Sequence, residues 1–171
     1  MELKHGLHLA YCTNIHRGEG WAQTFNSLKT DVLAVRDRVS TGKPYAIGLR
    51  LSDLASRELS EPSTLRAFQQ WLADENCYVF TINGFPFGDF HGTRVKEQVY
   101  VPDWTSEARL EFTCRLFDLI AMLVPDGVEG SVSTSPGSFK EFITEESQEQ
   151  AIRDNLWRCV EHIAALSYST G

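Results

Sequence analysis

The densest concentration of reactive side chains lies between Asn83 and Tyr100, where a Phe-Pro-Phe-Gly turn is followed by His91, Arg94, Lys96 and Glu97. An imidazole and an ammonium on one loop are groups that can take up and release protons, so His91 and Lys96 are the candidates for acid, base or electrostatic helper. Arg94 and Glu97 suit the binding of a polar substrate. The segment runs well over ten residues without a clear helical period before Pro102. Loops of that length in a compact domain are binding loops, lids or disordered, and the interleaved aromatics favour binding. The plain alternative is a solvated charged loop.

The elements that must position this loop alternate along the whole chain. Cys77 to Ile82 is β-branched and aromatic and stops at Asn83-Gly84, which reads as a strand ending in a turn. Before it come a strand over Leu7 to Asn14 and a helix with Trp21, Phe25, Leu28, Val32, Val35 and Val39 on one face, closed by Gly42 and Pro44. A strand over Tyr45 to Leu51 and a helix entered near Pro62, with Leu65, Phe68 and Leu72 inward, follow. After the loop, a helix from about Thr105 to Leu123 carries Leu110, Cys114, Phe117, Ile120 and Val124. A strand over Val128 to Thr134 and a helix from about Ser147, with Ser147 and Gln150 at capping-box spacing, complete the series; Ile152, Leu156, Val160 and Ile163 form its apolar face.

Strand-helix units in succession predict an α/β fold with a parallel sheet and right-handed crossovers. The strand faces predict which kind. Leu7, Leu9 and Tyr11 alternate with His8, Ala10, Cys12 and Asn14; Ile47, Leu49 and Leu51 with Ala46, Gly48 and Arg50; Phe80 and Ile82 with Val79, Thr81 and Asn83. One side is greasy and the other small or polar, whereas an open doubly wound sheet needs apolar cover on both faces. A (β/α) barrel of TIM type, with its ligand site at the carboxyl ends of the strands, accounts for the asymmetry. No Gly-rich dinucleotide fingerprint follows the first strand. About four units are present, so the expectation is a single domain over residues 1–171 forming an N-terminal half-barrel that stops before a fifth strand.

In that frame further candidates acquire positions. Asn14 and Asn83 sit at strand ends on the small, polar side, where an amide either caps a turn or orients a substrate hydroxyl. His16 directly follows the first strand, as an exposed loop residue or a substrate contact. Arg50 either pairs with Glu129 or binds an acidic ligand group. His8, at the opposite end of its strand, reads as a hydrogen-bonded core histidine. Phe85 and Phe87 read as plugs of the barrel mouth. The Ser135-Pro-Gly-Ser138 turn offers backbone N–H groups to an anion.

Composition narrows the classes. With 42% hydrophobic residues in 171, the chain can bury one sizeable core. A net charge of -7 with scattered acids argues against nucleic acid or an anionic membrane as partner. Cys12, Cys77, Cys114 and Cys159 are widely spaced, without zinc spacing, and read as reduced core residues. No signal-type or membrane-length apolar run is present, so a soluble cytoplasmic protein is expected.

Four stretches carry a resemblance: His8-Leu-Ala-Tyr-Cys-Thr-Asn-Ile-His16, Tyr78-Val-Phe-Thr-Ile-Asn-Gly-Phe-Pro86, Phe90-His-Gly-Thr-Arg-Val-Lys-Glu-Gln-Val-Tyr100 and Val128-Glu-Gly-Ser-Val-Ser-Thr134. Together they resemble the EboE family of metabolite-traffic proteins, itself similar to the xylose isomerase-like TIM barrels of sugar isomerases and epimerases. The resemblance spans essentially the whole chain and is most specific from Thr81 to Val99. It implies a protein about twice as long, acting in a gene cluster linked to export or trafficking of a small metabolite. It implies binding of a small polar metabolite at the carboxyl face of the barrel, by a metal-assisted isomerase or epimerase or by a non-catalytic binding or transfer protein on the same fold. Other components of the cluster are the implied protein partners, and a missing second half or self-association would cover the open barrel. Divalent-metal ligands, if any, are expected after Gly171, and no metal site is expected within this chain.

Overall fold

A computed structural model describes residues 1–40, 42–88 and 96–170, with the backbone alone for Lys96 and Thr170. Four parallel strands lie side by side in chain order: β1 (Ala10–Cys12), β2 (Tyr45–Arg50), β3 (Cys77–Asn83) and β4 (Ser131–Ser133). The first connection contains α1 (Trp21–Ser27) and α2 (Leu33–Val39), the second α3 (Asp53–Leu59) and α4 (Pro62–Asp74), and the third α5 (Glu107–Leu123); α6 (Glu146–Thr170) follows β4. Pro62 opens α4 where its missing N–H has no helical partner to lose, and the Ser52 and Ser106 hydroxyls cap α3 and α5. Tyr45, Ile47, Leu49, Leu51, Val79 and Ile82 of the sheet share one core with Leu28, Val32, Leu59, Phe68, Phe112 and Leu116 of the helical layer. The opposite face is small and polar. There the side chains of Thr81 and Ser131 pair at 2.9 Å, as do those of Asn83 and Ser133 at 3.0 Å. This establishes a parallel α/β sheet of four βα-type units.

Several elements differ from their sequence expectation. In β3 the pairing with β2 skips a residue: Ile47 faces Val79 and Gly48 faces Thr81, so Phe80 is an inserted bulge residue. The bulge moves Val79 into the helix-side core, while Phe80 joins His8 and Tyr78 on the other side. Strand β1 is shorter than Leu7 to Asn14 because residues 1–3 fold back antiparallel on residues 7–9 through a left-handed His5-Gly6 turn. Leu7 and Leu9 are consequently exposed, at 62% and 52%. The first helix is interrupted by a π-type turn at Leu28–Val32, whose extra residue rotates the apolar face so that Leu33 packs inward and Val39 is exposed.

The remaining differences concern α3, α5 and α6. Sequence periodicity passed over α3, which is too short to display a repeat. Helix α5 buries two faces: Phe112, Leu116, Leu119 and Leu123 against the sheet, and Leu110, Cys114 and Phe117 toward α6. Helix α6 is capped by Gln148, whose Oε1 accepts from the N–H groups of Thr144 and Glu145, rather than by Ser147. Its residues Leu156 and Val160 face solvent. Cys12 is exposed, so it is not a core residue, whereas Cys77 and Cys159 are buried and Cys114 is half-buried; all four are free thiols.

Gly84 marks the closest approach of β3 to α5. A Cβ there would collide with Leu116 Cδ1 and stand 3.0 Å from the Ser133 carbonyl oxygen. Gly84→Ala is expected to destabilise the fold by about 1–3 kcal/mol, the usual cost of overpacking, read as a lower urea midpoint at unchanged slope. A wild-type midpoint would show that the β3–α5 junction yields freely.

Candidate functional site

Two buried arginines organise the carboxyl end of the sheet. Arg50, at the last position of β2, is 3% exposed; its Nη1 donates to the Gly18 carbonyl at 2.7 Å and its Nη2 to the Gly88 carbonyl at 2.5 Å. It thereby ties the loop after β1 to the loop after β3. Arg109, in the first turns of α5, is fully buried and donates from Nε to the Pro102 carbonyl at 2.8 Å and from Nη1 to the Gly84 carbonyl at 3.0 Å. Those two carbonyls are the two ends of the long excursion between β3 and α5. Burial pushes the Arg109 pKa down to about 10, against the opposing charges of Asp103 and Asp53, and the guanidinium stays charged at neutral pH. The rings of Phe87 and Phe112 lie 5.4 and 5.6 Å from its guanidinium carbon.

Around these clamps the loops are cross-bonded. The Ser52 hydroxyl donates to the Glu19 carbonyl, Asp53 N–H to the Phe87 carbonyl at 2.9 Å, and Trp21 N–H to Glu58 Oε2 at 2.6 Å. Asp103, also buried, accepts from Thr105 N–H at 3.0 Å and from the Ser138 hydroxyl. Within this braced rim several buried polar atoms remain without a hydrogen-bond partner: Asn14 Oδ1, Thr134 Oγ1, Ser135 Oγ and Arg109 Nη2. Buried polar atoms are normally satisfied, so the unsatisfied ones just after β1 and β4 are groups that a polar ligand would complete.

The residues singled out from sequence separate into groups. Asn83 stands at the end of β3 with its Oδ1 accepting from Phe85 N–H and Ser133 Oγ, both at 3.0 Å, and its Nδ2 has no partner among the described residues. It both turns the chain and presents an amide donor. Asn14 lies in the short turn after β1 with its Oδ1 free. His16 is drawn away from the polar face: its Nε2 meets the Tyr11 hydroxyl at 2.9 Å and its Nδ1 lies 3.5 Å from Asp31 in the π-type turn. Arg50 is engaged by backbone carbonyls while Glu129 is exposed, so the expected pair is replaced by a loop clamp. Glu97 is exposed in the 3₁₀ turn Lys96–Tyr100, which also contains the Lys96 backbone. His91, Arg94 and the Lys96 side chain lie outside the described residues.

Other expectations find structural partners. His8 Nδ1 meets the Tyr78 hydroxyl at 2.8 Å, so the hydrogen bond read from sequence is present, but His8 is half-buried beside Phe80 and not a core residue. Phe87 packs on Phe112 in the core shared with the helical layer, not as a plug on the polar side of the sheet, and Phe85 stands beside Tyr100, which stacks on Phe139. The Ser135-Ser138 turn is closed on itself by Gly137 N–H to the Ser135 carbonyl and faces the Asp103 carboxylate, which opposes an anion there. Sequence reading missed Arg109, although a signal was available: a cation three residues before Phe112 and seven before Leu116, on the stripe that faces the sheet. Among the described residues no three His, Cys, Asp or Glu side chains converge on a metal-sized site, and no helix is long and apolar enough to cross a membrane.

Arg109→Met keeps much of the volume but leaves the Gly84 and Pro102 carbonyls without donors. It is expected to destabilise the chain by about 2–4 kcal/mol in urea unfolding, from the cost of buried unsatisfied acceptors. Unchanged stability would mean that the loop ends hold themselves. Beyond this geometry, no protein-family model matches the chain, and no curated protein or solved structure matches it.

Proposed function

We propose that the sheet is one side of a (β/α) barrel of the isomerase-like kind, and that its carboxyl-end rim binds a small polyhydroxylated or carbonyl-bearing metabolite. The observation that carries this reading is the set of buried, unpartnered polar atoms Asn14 Oδ1, Thr134 Oγ1 and Ser135 Oγ at the ends of β1 and β4. Hydroxyl and amide groups of this kind recognise neutral polar ligands, and preorganised ones need no rearrangement to bind. The one-sided helical cover is a second support, because a barrel keeps its helices outside and its small polar side chains inside. On that face a Cβ at Gly48 would come within 3.2 Å of Cys12 Sγ and 3.4 Å of Ala10 Cβ, as expected of a tightly curled sheet.

In this proposal Asn83 and Asn14 orient ligand hydroxyls, while His91, Arg94, Lys96 and Glu97 of the segment between Asn83 and Tyr100 supply charged groups. Proton transfer beside a carbonyl falls to His91 or Lys96, the groups whose ordinary pKa values bracket neutrality. Arg50 acts as scaffold, because its donors already hold Gly18 and Gly88. His16 likewise holds Tyr11 and Asp31. A metabolite-traffic role, as the EboE resemblance implies, is the setting in which such a binding or isomerising barrel would work.

Titration calorimetry with a panel of aldopentoses, ketohexoses and cyclic polyols tests the reading. At least one class is expected to bind, and Asn83→Ala, His91→Ala and Lys96→Ala are each expected to weaken it roughly tenfold, about 1.4 kcal/mol. Melting temperatures of the His91 and Lys96 variants should stay within about 3 °C of wild type, the scale of a change below 1 kcal/mol in a domain this size, whereas Asn83→Ala also loses its bonds from Phe85 N–H and Ser133 Oγ and melts lower. Affinity that survives all three substitutions, or that falls only together with the melting temperature, would overturn the site.

A further inference from the structure

Away from the sheet, the interface of α5 and α6 holds a second gathering of reactive groups. Cys114 of α5 and Cys159 of α6 pack in one cluster with Trp104 and Leu110, flanked by Phe117, Ile152 and Ile163. Both are free thiols on the facing helices of that cluster. Each acts on the other's ionisation: the pairing pulls the Cys159 thiol below its ordinary range and, with burial, holds the Cys114 thiol above its own. His162 Nε2 stands 2.7 Å from Asp118 Oδ1, and these two residues lie one turn beyond Cys159 and Cys114 on their helices. A protonated His162 favours the Cys114 thiolate. The other two cysteines lie apart: Cys12 is exposed at the end of β1, and Cys77 is placed between Arg36 and the Glu75 carbonyl.

We propose that Cys114 and Cys159 form a redox-active dithiol, a modification site for peroxides, that closes to a disulfide across the α5–α6 interface. In the reaction the two S–H bonds and the peroxide O–O bond break and one S–S bond forms. The sulfurs give up two electrons, and hydrogen peroxide takes them together with both protons to leave as two waters. A disulfide requires the two Cβ vectors to converge, and the shared α5–α6 cluster brings both side chains to one interface, where most cysteine pairs in a fold do not meet. The half-buried Cys114 provides the approach, while Cys159 is only 4% exposed and shielded from other partners. Closure would staple α6 to α5, adding a covalent link to the Asn155 Nδ2 bond to the Trp104 carbonyl at 3.0 Å and the Arg158–Glu107 pair at 2.6 Å.

The test treats the 171-residue chain with a small excess of hydrogen peroxide, blocks remaining thiols with N-ethylmaleimide and maps the peptides by mass spectrometry. The expected product is a Cys114–Cys159 cross-linked peptide lighter by two hydrogens and reopened by dithiothreitol. The melting temperature should rise on the order of 5–10 °C on oxidation, from closing a loop of roughly 45 residues. Cys114→Ser and Cys159→Ser should each abolish that rise while melting near the reduced wild type. Full maleimide labelling of both cysteines, their separate oxidation to sulfinic acid, or cross-linking to Cys12 or Cys77 instead would overturn the proposal. The wild-type peptide map decides the matter even if a serine variant does not fold.

Discussion

The structure depends above all on a buried cation placed between the two ends of a long loop. Arg109 is removed from water, which is costly for any guanidinium, and the cost is offset by strong hydrogen bonds to the Gly84 and Pro102 carbonyls and by the faces of Phe87 and Phe112. Because its donors hold both ends of the β3–α5 excursion, the span between them starts and finishes at fixed points on the core. Arg50 repeats the device one strand away by joining the first and third loops at Gly18 and Gly88. Two guanidiniums thus do for the rim what a disulfide does in a small secreted domain, with planar donors that match carbonyl geometry.

The polarity of the sheet follows from a smaller constraint. The bulge at Phe80 lets Val79 and Ile82 both reach the helical core although they are three residues apart, an odd spacing that strict alternation would send to opposite faces. Thr81 and Asn83 then share the other face with Ser131 and Ser133, where hydroxyl and amide pair across the strands. The result is one dry face that carries the packing energy and one hydrogen-bonding face that is free to meet something polar. Gly84 completes the junction by admitting Leu116 against the backbone where any side chain would collide.

The helical layer is thinner on the side of α6. Helix α5 lies between the sheet core and the second cluster, whereas α6 touches the rest through α5 and the Trp104 region and leaves Trp157 and Tyr168 exposed at 65% and 91%. Interactions at that interface therefore govern how firmly α6 is held, and they include the packing of Cys114 and Cys159 in one cluster and the His162–Asp118 and Arg158–Glu107 pairs. The exposed ion pairs there are each worth little, and packing around Leu110 and Phe117 does most of the holding.

What the sequence by itself determined was the alternation of four parallel strands with helices and the two faces of β2. Alternating runs such as Tyr45 to Leu51, the Gly42 and Pro44 stop, and Pro62 at a helix start are local signals, and each is decided by residues within a few positions. Asn83 at a strand end and His8 as a hydrogen-bonded residue were legible for the same reason. Tertiary structure alone decided the rest. The bulge at Phe80 arises from pairing β3 with β2, and the π-type turn from packing on the core; neither leaves a mark in local periodicity. His16 and Arg50 looked available because their partners are set by folding: Tyr11 of β1 and Asp31 of the π-type turn for His16, and the carbonyls of Gly18 and Gly88 on two different loops for Arg50. Arg109 went unread for the same cause, since a cation among apolar residues acquires its role only when folding brings Gly84 and Pro102 to its two nitrogens.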